Sequence, residues 1–584
     1  MRSTGKIKIA GRVTDMMPKQ HFWENYPYMT VTLFAVFISF FLMGNIFWSV
    51  GHLYYMDTDC YTRAQRVFEL LSTGQWAEKL FPYGNPPTGF NLHFTRAVDV
   101  IWALLCLPFM LFMPIKEAIF YSGFLLSPLF YIFTVWMLVW CYETYLPKQH
   151  QRASILVPVT VFSAILLIRV IDIFHPYRPD HHSLADFILM FNAAAVLCSY
   201  NGLKLRYFFV AGCLSALDLW ACSAIEGLVV FGCVLTVLSY DWLCGQRAVK
   251  DIAVYSFGML ATTTLFWVLN PPFGGWSVLE NTRLSIIHVV LCALIFLAFA
   301  GIAAVQPKTV FSKIGILSGA AVISLLLMVL IFGWQQLTAP IYEEHIKEYF
   351  LPYVNEMLPI WDYPQMAFSI LLSAVMLAVM CYRYKKFPFY LRDLALFMLL
   401  FTILSCAANR FHWYFVPLYV LTTGLFAGML TDIDYAKSEN RKYKFISVAF
   451  VLITIGYMST LSVENNKMEQ DHKDLEIASG HICLANIFEA PRLIFEKEID
   501  VVGSPYHSNI EGIISNREMW MERDEAKLLA LLKKYNVSCI IKPQHRTNFR
   551  DYPWTLSYKI VSETNIYPWL VKQDGYYLID QDKL

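Results

Sequence analysis

Charge is scarce in this chain, and neither sign dominates. Only 16% of the 584 residues are charged, and the formal net charge is +1. A soluble domain carries about a quarter charged residues, so a freely soluble protein is excluded. With no basic face and no known binding motif, a nucleic-acid partner has no support. Internal repeats, long low-complexity tracts and a glycine-rich phosphate loop are also missing.

Apolar residues are abundant, at 57%. Stretches of roughly 17–25 apolar residues, the length that crosses a bilayer as helix, recur along most of the chain. About thirteen spans are expected, near 29–51, 117–142, 153–174, 185–200, 207–222, 227–244, 252–269, 286–305, 314–333, 366–382, 393–407, 412–431 and 445–463. The first is read as a retained span, because about 28 mostly polar residues precede it and no small-residue cleavage site follows. Residues 98–114 are apolar but short, and are assigned to a re-entrant or interfacial helix within a large first loop, 52–116.

Lysine and arginine set the expected orientation. Arg2, Lys6, Lys8, Arg12 and Lys19 precede the first span, and alternate loops carry Lys148/Arg152, Lys204/Arg206, Arg247/Lys250, Lys308/Lys313, Arg383/Lys385/Lys386/Arg392 and Lys437/Arg441/Lys442/Lys444. All fall on one side if the N-terminus is cytoplasmic. The Asp57, 175–184, 270–285 and 334–365 loops and the C-terminal tail then lie outside. From about 464 the composition changes: short apolar strands (Gly480 to Ile487, Ile499 to Gly503, Cys539 to Lys542, Tyr576 to Ile579) alternate with a helical pattern over Asp524 to Tyr535. The expectation is a transmembrane domain, 1–463, followed by a small α/β domain, 464–584. Most of the 13 cysteines fall in spans as small hydrophobes. Cys60, Cys483 and Cys539 do not, and the last two can pair if their side is oxidising.

The polar residues that suggest chemistry gather on the outer side. Asp57 and Asp59 stand just beyond the first span, with Arg63 and Arg66 behind them. Such an acidic pair beside a bilayer suits a divalent metal and a phosphate-linked donor, or simply caps a helix. Arg178-Pro-Asp180-His181-His182 offers carboxylate and imidazole donors, and the span before it holds Arg169 and Asp172, costly in a membrane. Ser277-Val-Leu-Glu280 follows a Pro-Pro turn, with Trp276 as an interfacial anchor and Arg283 behind. Glu226 and Asp218 sit near outer helix ends, where either can pair with an arginine. Arg410 and His412 lie among aromatics at another outer helix end, which suits a phosphate or pyrophosphate, or an aromatic belt with a snorkelling arginine. Arg96 is a further phosphate candidate.

Taken in order, these features resemble the integral-membrane glycosyltransferases of the GT-C class, and within them proteins like the oligosaccharyltransferase catalytic subunit. Asp57 followed by Arg63 is similar to the acidic motif of the first outer loop. Asp180-His181-His182 is similar to the second acidic motif, and Ser277-Val-Leu-Glu280 to the later Ser-Val-x-Glu element. The tail lacks the Trp-Trp-Asp motif with which protein-glycosylating members read an acceptor sequon, which puts asparagine glycosylation in doubt. The resemblance implies a polytopic α-helical enzyme, in a bacterial inner membrane, that takes a sugar or oligosaccharide from a polyprenyl-(pyro)phosphate donor. Asp57, Asp59 and Glu280 are the expected catalytic residues. Arg63, Arg66, Arg96, Arg410 and His412 are expected to bind substrate. Asp57, Asp180, His182 and Glu280 are the expected ligands of Mg²⁺ or Mn²⁺, though many members of the class work without metal. The acceptor, whether glycan, lipid or protein, is open. A flippase or transporter of polyprenyl-linked glycans is the runner-up, and would place special charges along a path across the membrane. A non-catalytic scaffold for cell-envelope assembly is the third reading, and would tolerate loss of Asp57, Asp180 and Glu280 together.

Overall fold

The computed structural model describes residues 26–146, 172–201, 205–222, 224–339, 347, 354, 357–362, 364–384, 388–431, 475–543 and 552–583. Nine described helices are long and apolar enough to cross a membrane. The first runs Pro27–Val50, opened by a proline in its first turn and closed by left-handed Gly51. The others follow as Ile115–Tyr145, Ala224–Leu243, Val249–Leu269, Ile286–Val305, Val310–Phe332, a helix over Pro364–Tyr384, Phe389–Ala407 and one over Arg410–Thr431. His182–Cys198 and Leu205–Ala221 are apolar helices of 17 residues each. These eleven match eleven of the expected spans. The expected spans at 153–174 and 445–463 lie outside the described residues, apart from a single turn over Asp172–Phe174.

The bundle is uneven. The central window of Arg410–Leu430 is 89% buried, whereas that of Val310–Phe332 is only 6% buried. Helix Leu205–Ala221 crosses Val249–Leu269 at a glycine pair. A Cβ on Gly212 would strike the Tyr255 carbonyl, and one on Gly258 the Phe209 carbonyl. Without a strong hydrophobic drive between helices in lipid, such small residues permit the close approach that makes packing favourable.

The first loop folds on the bundle. Helix Thr58–Thr73 is capped by Asp57, whose side chain accepts from the Asp59 N–H. Helix Arg96–Cys106 has 11 residues, about 16 Å of rise, well short of a ~30 Å hydrocarbon core. That length agrees with a helix lying within the loop. Its first turn is tied down by charge. Asp99 receives Arg66 Nε at 2.9 Å and Arg96 Nη1 at 3.3 Å, and lies 3.5 Å from Arg63 Nη1.

The C-terminal region forms a five-stranded sheet in the order β2-β1-β3-β5-β4, with β1 Ile482–Leu484, β2 Asp500–Val501, β3 Cys539–Ile541, β4 Leu570–Lys572 and β5 Tyr576–Ile579. β1 is parallel to β2 and β3, and β5 is antiparallel to β3 and β4. Alternation along the strands makes two cores. Leu484 and Ile540 pack with Trp520, Leu528 and Leu532 on one face. Cys483, Val501 and Ile541 pack on the other with Phe81, Phe90, Leu92 and Phe94 of the first loop. Cys483 and Cys539, partners in register on β1 and β3, are joined by a disulfide. The second core is therefore shared between the sheet and the loop. Lys116 with Glu498 at 2.7 Å reinforces the contact.

Candidate functional site

Asp57 ends the extended segment after the first helix. One carboxylate oxygen accepts the Asp59 N–H at 3.1 Å, as expected of a helix cap. The other receives Arg178 Nη2 at 2.8 Å. Nε of the same guanidinium donates to Asp180 Oδ2, also at 2.8 Å. Asp180 uses its remaining oxygen to accept the His182 N–H at 2.9 Å. One arginine thus holds two carboxylates from different loops, and a backbone bond from Met56 N–H to the Tyr177 carbonyl at 2.9 Å fixes those loops together. Arg178 lies 5.0 Å from the ring centre of Trp413, whose edge meets His182. Burial pushes the Asp180 carboxyl up, against the pull of Arg178 and with the push of Asp57, to about 6.

Arg410 stands at the first turn of the most buried helix, and its guanidinium pairs with Glu226. Arg63 is fully buried, stacked 4.3 Å from the Phe94 centroid, and donates to the Ala221 carbonyl at 3.3 Å. The loop Ser504 to Asn509 of the sheet domain lies over this end of the bundle. Tyr506 Oη donates to Thr62 Oγ1 at 2.5 Å and stands beside Asp59. Asn509 Nδ2 donates to the Gly84 carbonyl at 2.8 Å. His507 stacks 4.8 Å from His93. Burial, with neighbouring positive groups, pushes His93 and His181 well below the ordinary histidine range and His507 to about 4, so these imidazoles are neutral at pH 7.

The other expected residues lie elsewhere around this centre. Glu280 accepts from Asn91 Nδ2 at 3.0 Å and lies 3.4 Å from Arg283 Nε, pinning the 280 loop to the first loop. Arg66 is committed to Glu78 and Asp99. Arg96 is committed to Asp99 and to the carbonyls of Gln75 and Trp76. His412 is turned into the bundle, 2.9 Å from Ser369 Oγ. Arg169 lies outside the described residues. Sequence reasoning gave no role to Arg178, Cys222, Tyr506 or His507. The available signals were an arginine two residues before Asp180, and a cysteine four residues before a glutamate at a helix start.

Among the described residues, two groups of side chains could hold a metal: Asp180, His181 and His182, and His181, Cys222 and Glu226, with the ligand atoms of each group within 4.8 Å of one another. The expected oxygen-rich set of Asp57, Asp180 and Glu280 is not drawn together in the same way. Arg178 stands between the first two, and Glu280 faces Arg283. The nitrogen donors beside Asp180 fit Mn²⁺ or Zn²⁺ better than Mg²⁺.

No protein-family model matches the chain, and no curated protein matches it. Solved structures do. The archaeal oligosaccharyltransferase AglB from Archaeoglobus fulgidus, in complex with an inhibitory peptide and a dolichol-phosphate, superposes with a TM-score of 0.66 at 12% identity, over 97% of this chain and 75% of that one. The Archaeoglobus fulgidus oligosaccharyltransferase complexed with Zn and sulfate superposes with a TM-score of 0.61 at 13% identity, over 95% and 73%. At these identities the likeness shows the fold: the polytopic α-helical architecture of those structures, here with a small C-terminal α/β domain.

Proposed function

We propose that this chain is an integral-membrane glycosyltransferase that moves a sugar or oligosaccharide from a polyprenyl-(pyro)phosphate donor to an acceptor on the extracytoplasmic side. The observation that carries the reading is the meeting of Asp57, Arg178 and Asp180 with Arg410 and Glu226 at one end of the bundle, beneath the Ser504 to Asn509 loop. The Archaeoglobus enzyme binds dolichol-phosphate and a peptide, which supports a lipid-phosphate donor for the same architecture.

In this reading Arg410 takes the donor phosphate, exchanging Glu226 for the ligand's oxygens, and Arg63 adds positive potential from behind Phe94. Arg66 and Arg96 hold the first loop rather than substrate. Asp57 orients the acceptor group and accepts its proton, with Asp59 beside it on the Tyr506 hydroxyl. Arg178 keeps Asp57 aligned with Asp180. A divalent ion of the Mn²⁺ class, held by Asp180 and His182, would supply charge to balance the leaving phosphate. The Ser504 to Asn509 loop bounds the acceptor side.

The test compares glycans and lipid-linked sugars in cells carrying wild type, a deletion, or Asp57→Asn. If the deletion and Asp57→Asn accumulate the same lipid-linked sugar and lose the same glycoconjugate, the reading stands and both substrates are named. Full restoration by Asp57→Asn would overturn it in favour of transport or scaffolding.

A further inference from the structure

We infer that His181, Cys222 and Glu226 form a second metal site, for a thiophilic divalent ion of the Zn²⁺ class, distinct from the carboxylate centre around Asp57 and Asp180. The three side chains are buried, at 4%, 3% and 2% exposure. Their ligand atoms lie within 4.8 Å of one another, and His181 Nε2 is 3.8 Å from Glu226 Oε2. A tetrahedral zinc takes nitrogen and oxygen at about 2.0–2.2 Å and sulfur at about 2.3 Å, so its ligand atoms are separated by roughly 3.3–3.8 Å. The trio needs to close by about 1.5 Å at most.

A further observation points to a ligand. The Cys222 thiol already donates to Asp218 Oδ1 at 3.1 Å, and the other oxygen of that carboxylate is itself buried and unpartnered. When the ion arrives, the sulfur–hydrogen bond breaks, the sulfur–metal bond forms, and the proton passes to Asp218. Thiolate and Glu226 then balance the dication, while Arg410 holds the other oxygen of Glu226. Imidazole, thiolate and one carboxylate select a borderline-soft ion over Mg²⁺ or Ca²⁺.

Cys222 follows helix Leu205–Ala221, and Glu226 lies in the first turn of helix Ala224–Leu243. The two helix ends are held by Ala224 N–H on the Thr282 carbonyl at 3.0 Å, and by Arg63 on the Ala221 carbonyl. His181 is shared by distance between the two groups, and its Nε2 lies 3.8 Å from Glu226 Oε2.

The experiment is a Co²⁺ titration of the detergent-purified full chain, read by absorbance, with metal content of the untreated protein by mass spectrometry. Wild type should bind one equivalent showing a thiolate-to-cobalt charge-transfer band in the near ultraviolet, reversed by added Zn²⁺. Cys222→Ser should lose the band, and Asp57→Asn should keep it, which separates this site from the proposed catalytic centre. Asp218→Asn leaves the three ligands in place and removes the proton acceptor. It should keep the band with affinity lowered roughly 10- to 100-fold, and it tests the site should Cys222→Ser fail to fold. A wild-type protein with no band, a band that survives Cys222→Ser, or unchanged affinity in Asp218→Asn overturns the inference.

Discussion

Asp57 does two things at once, and a conservative change can separate them. It caps helix Thr58–Thr73 and it faces Arg178. Asparagine caps a helix as well as aspartate does, so Asp57→Asn should leave the thermal transition in detergent within a few degrees of wild type. Transfer should fall by about 10²–10⁴-fold, the usual contribution of a general base; an equal fall in folded protein would point to the cap instead. Glu78 carries the clearest pH dependence. Although burial alone would push its carboxyl up, Arg66 and then Arg283 and Arg96 pull it down from 4.5 to about 2. A depressed carboxyl contributes stability above its unfolded value. That stability is lost as pH falls from about 4.5 towards 2, and amounts to on the order of 3 kcal/mol. Acid unfolding of wild type should steepen in that window, and Glu78→Gln should flatten it. Charged residues at helix ends were legible as a set in the sequence, and the pairing of Glu226 with an arginine was among the stated options. The identity of its partner, Arg410, was not, because 184 positions of chain separate them and only packing brings them together. Cys222 was read as a small hydrophobe because sequence shows its apolar neighbours and hides Asp218 one turn away.

At the scale of elements, long apolar helices were the most legible part. Hydropathy over some twenty residues outweighs any single propensity, and the ends shift by only a few residues. The sheet domain was partly legible. The four segments read as strands became strands, but helices Ala490–Lys497, Ile510–Met521 and Leu556–Ser562 and strand Leu570–Lys572 were missed. Each is short, and its partners come from distant chain. Helix crossings left a subtler trace. Gly212 meets the Tyr255 carbonyl across its crossing, so Gly212→Val should force the two helices apart. A loss of at least 1–3 kcal/mol, the usual cost of overpacking, should appear as a lower unfolding temperature, with Gly232→Val, where nothing lies within 4 Å, as the neutral comparison.

For the whole molecule, the sheet domain is built into the first loop rather than tethered to it. Phe81, Phe90, Leu92 and Phe94 complete one of its cores. The disulfide closes a separation of 56 residues within that domain. Removing it by Cys483→Ser with Cys539→Ser should cost about 2–5 kcal/mol. Because the core is shared, the loss should spread to the first loop, seen as faster amide exchange at residues 81–94 as well as in β1 and β3; exchange confined to the strands would mean that the two fold independently. The bundle itself has a stiff flank and a compliant one. Most of Arg410–Leu430 is buried in protein, while almost none of Val310–Phe332 is. Pushing the latter aside breaks few contacts, so the bilayer, more than the protein, sets the resistance to lateral opening there. In the proposed reading a long isoprenoid tail would meet a low barrier on that side, and membrane thickness and acyl-chain order would then govern how fast such a donor reaches Arg410.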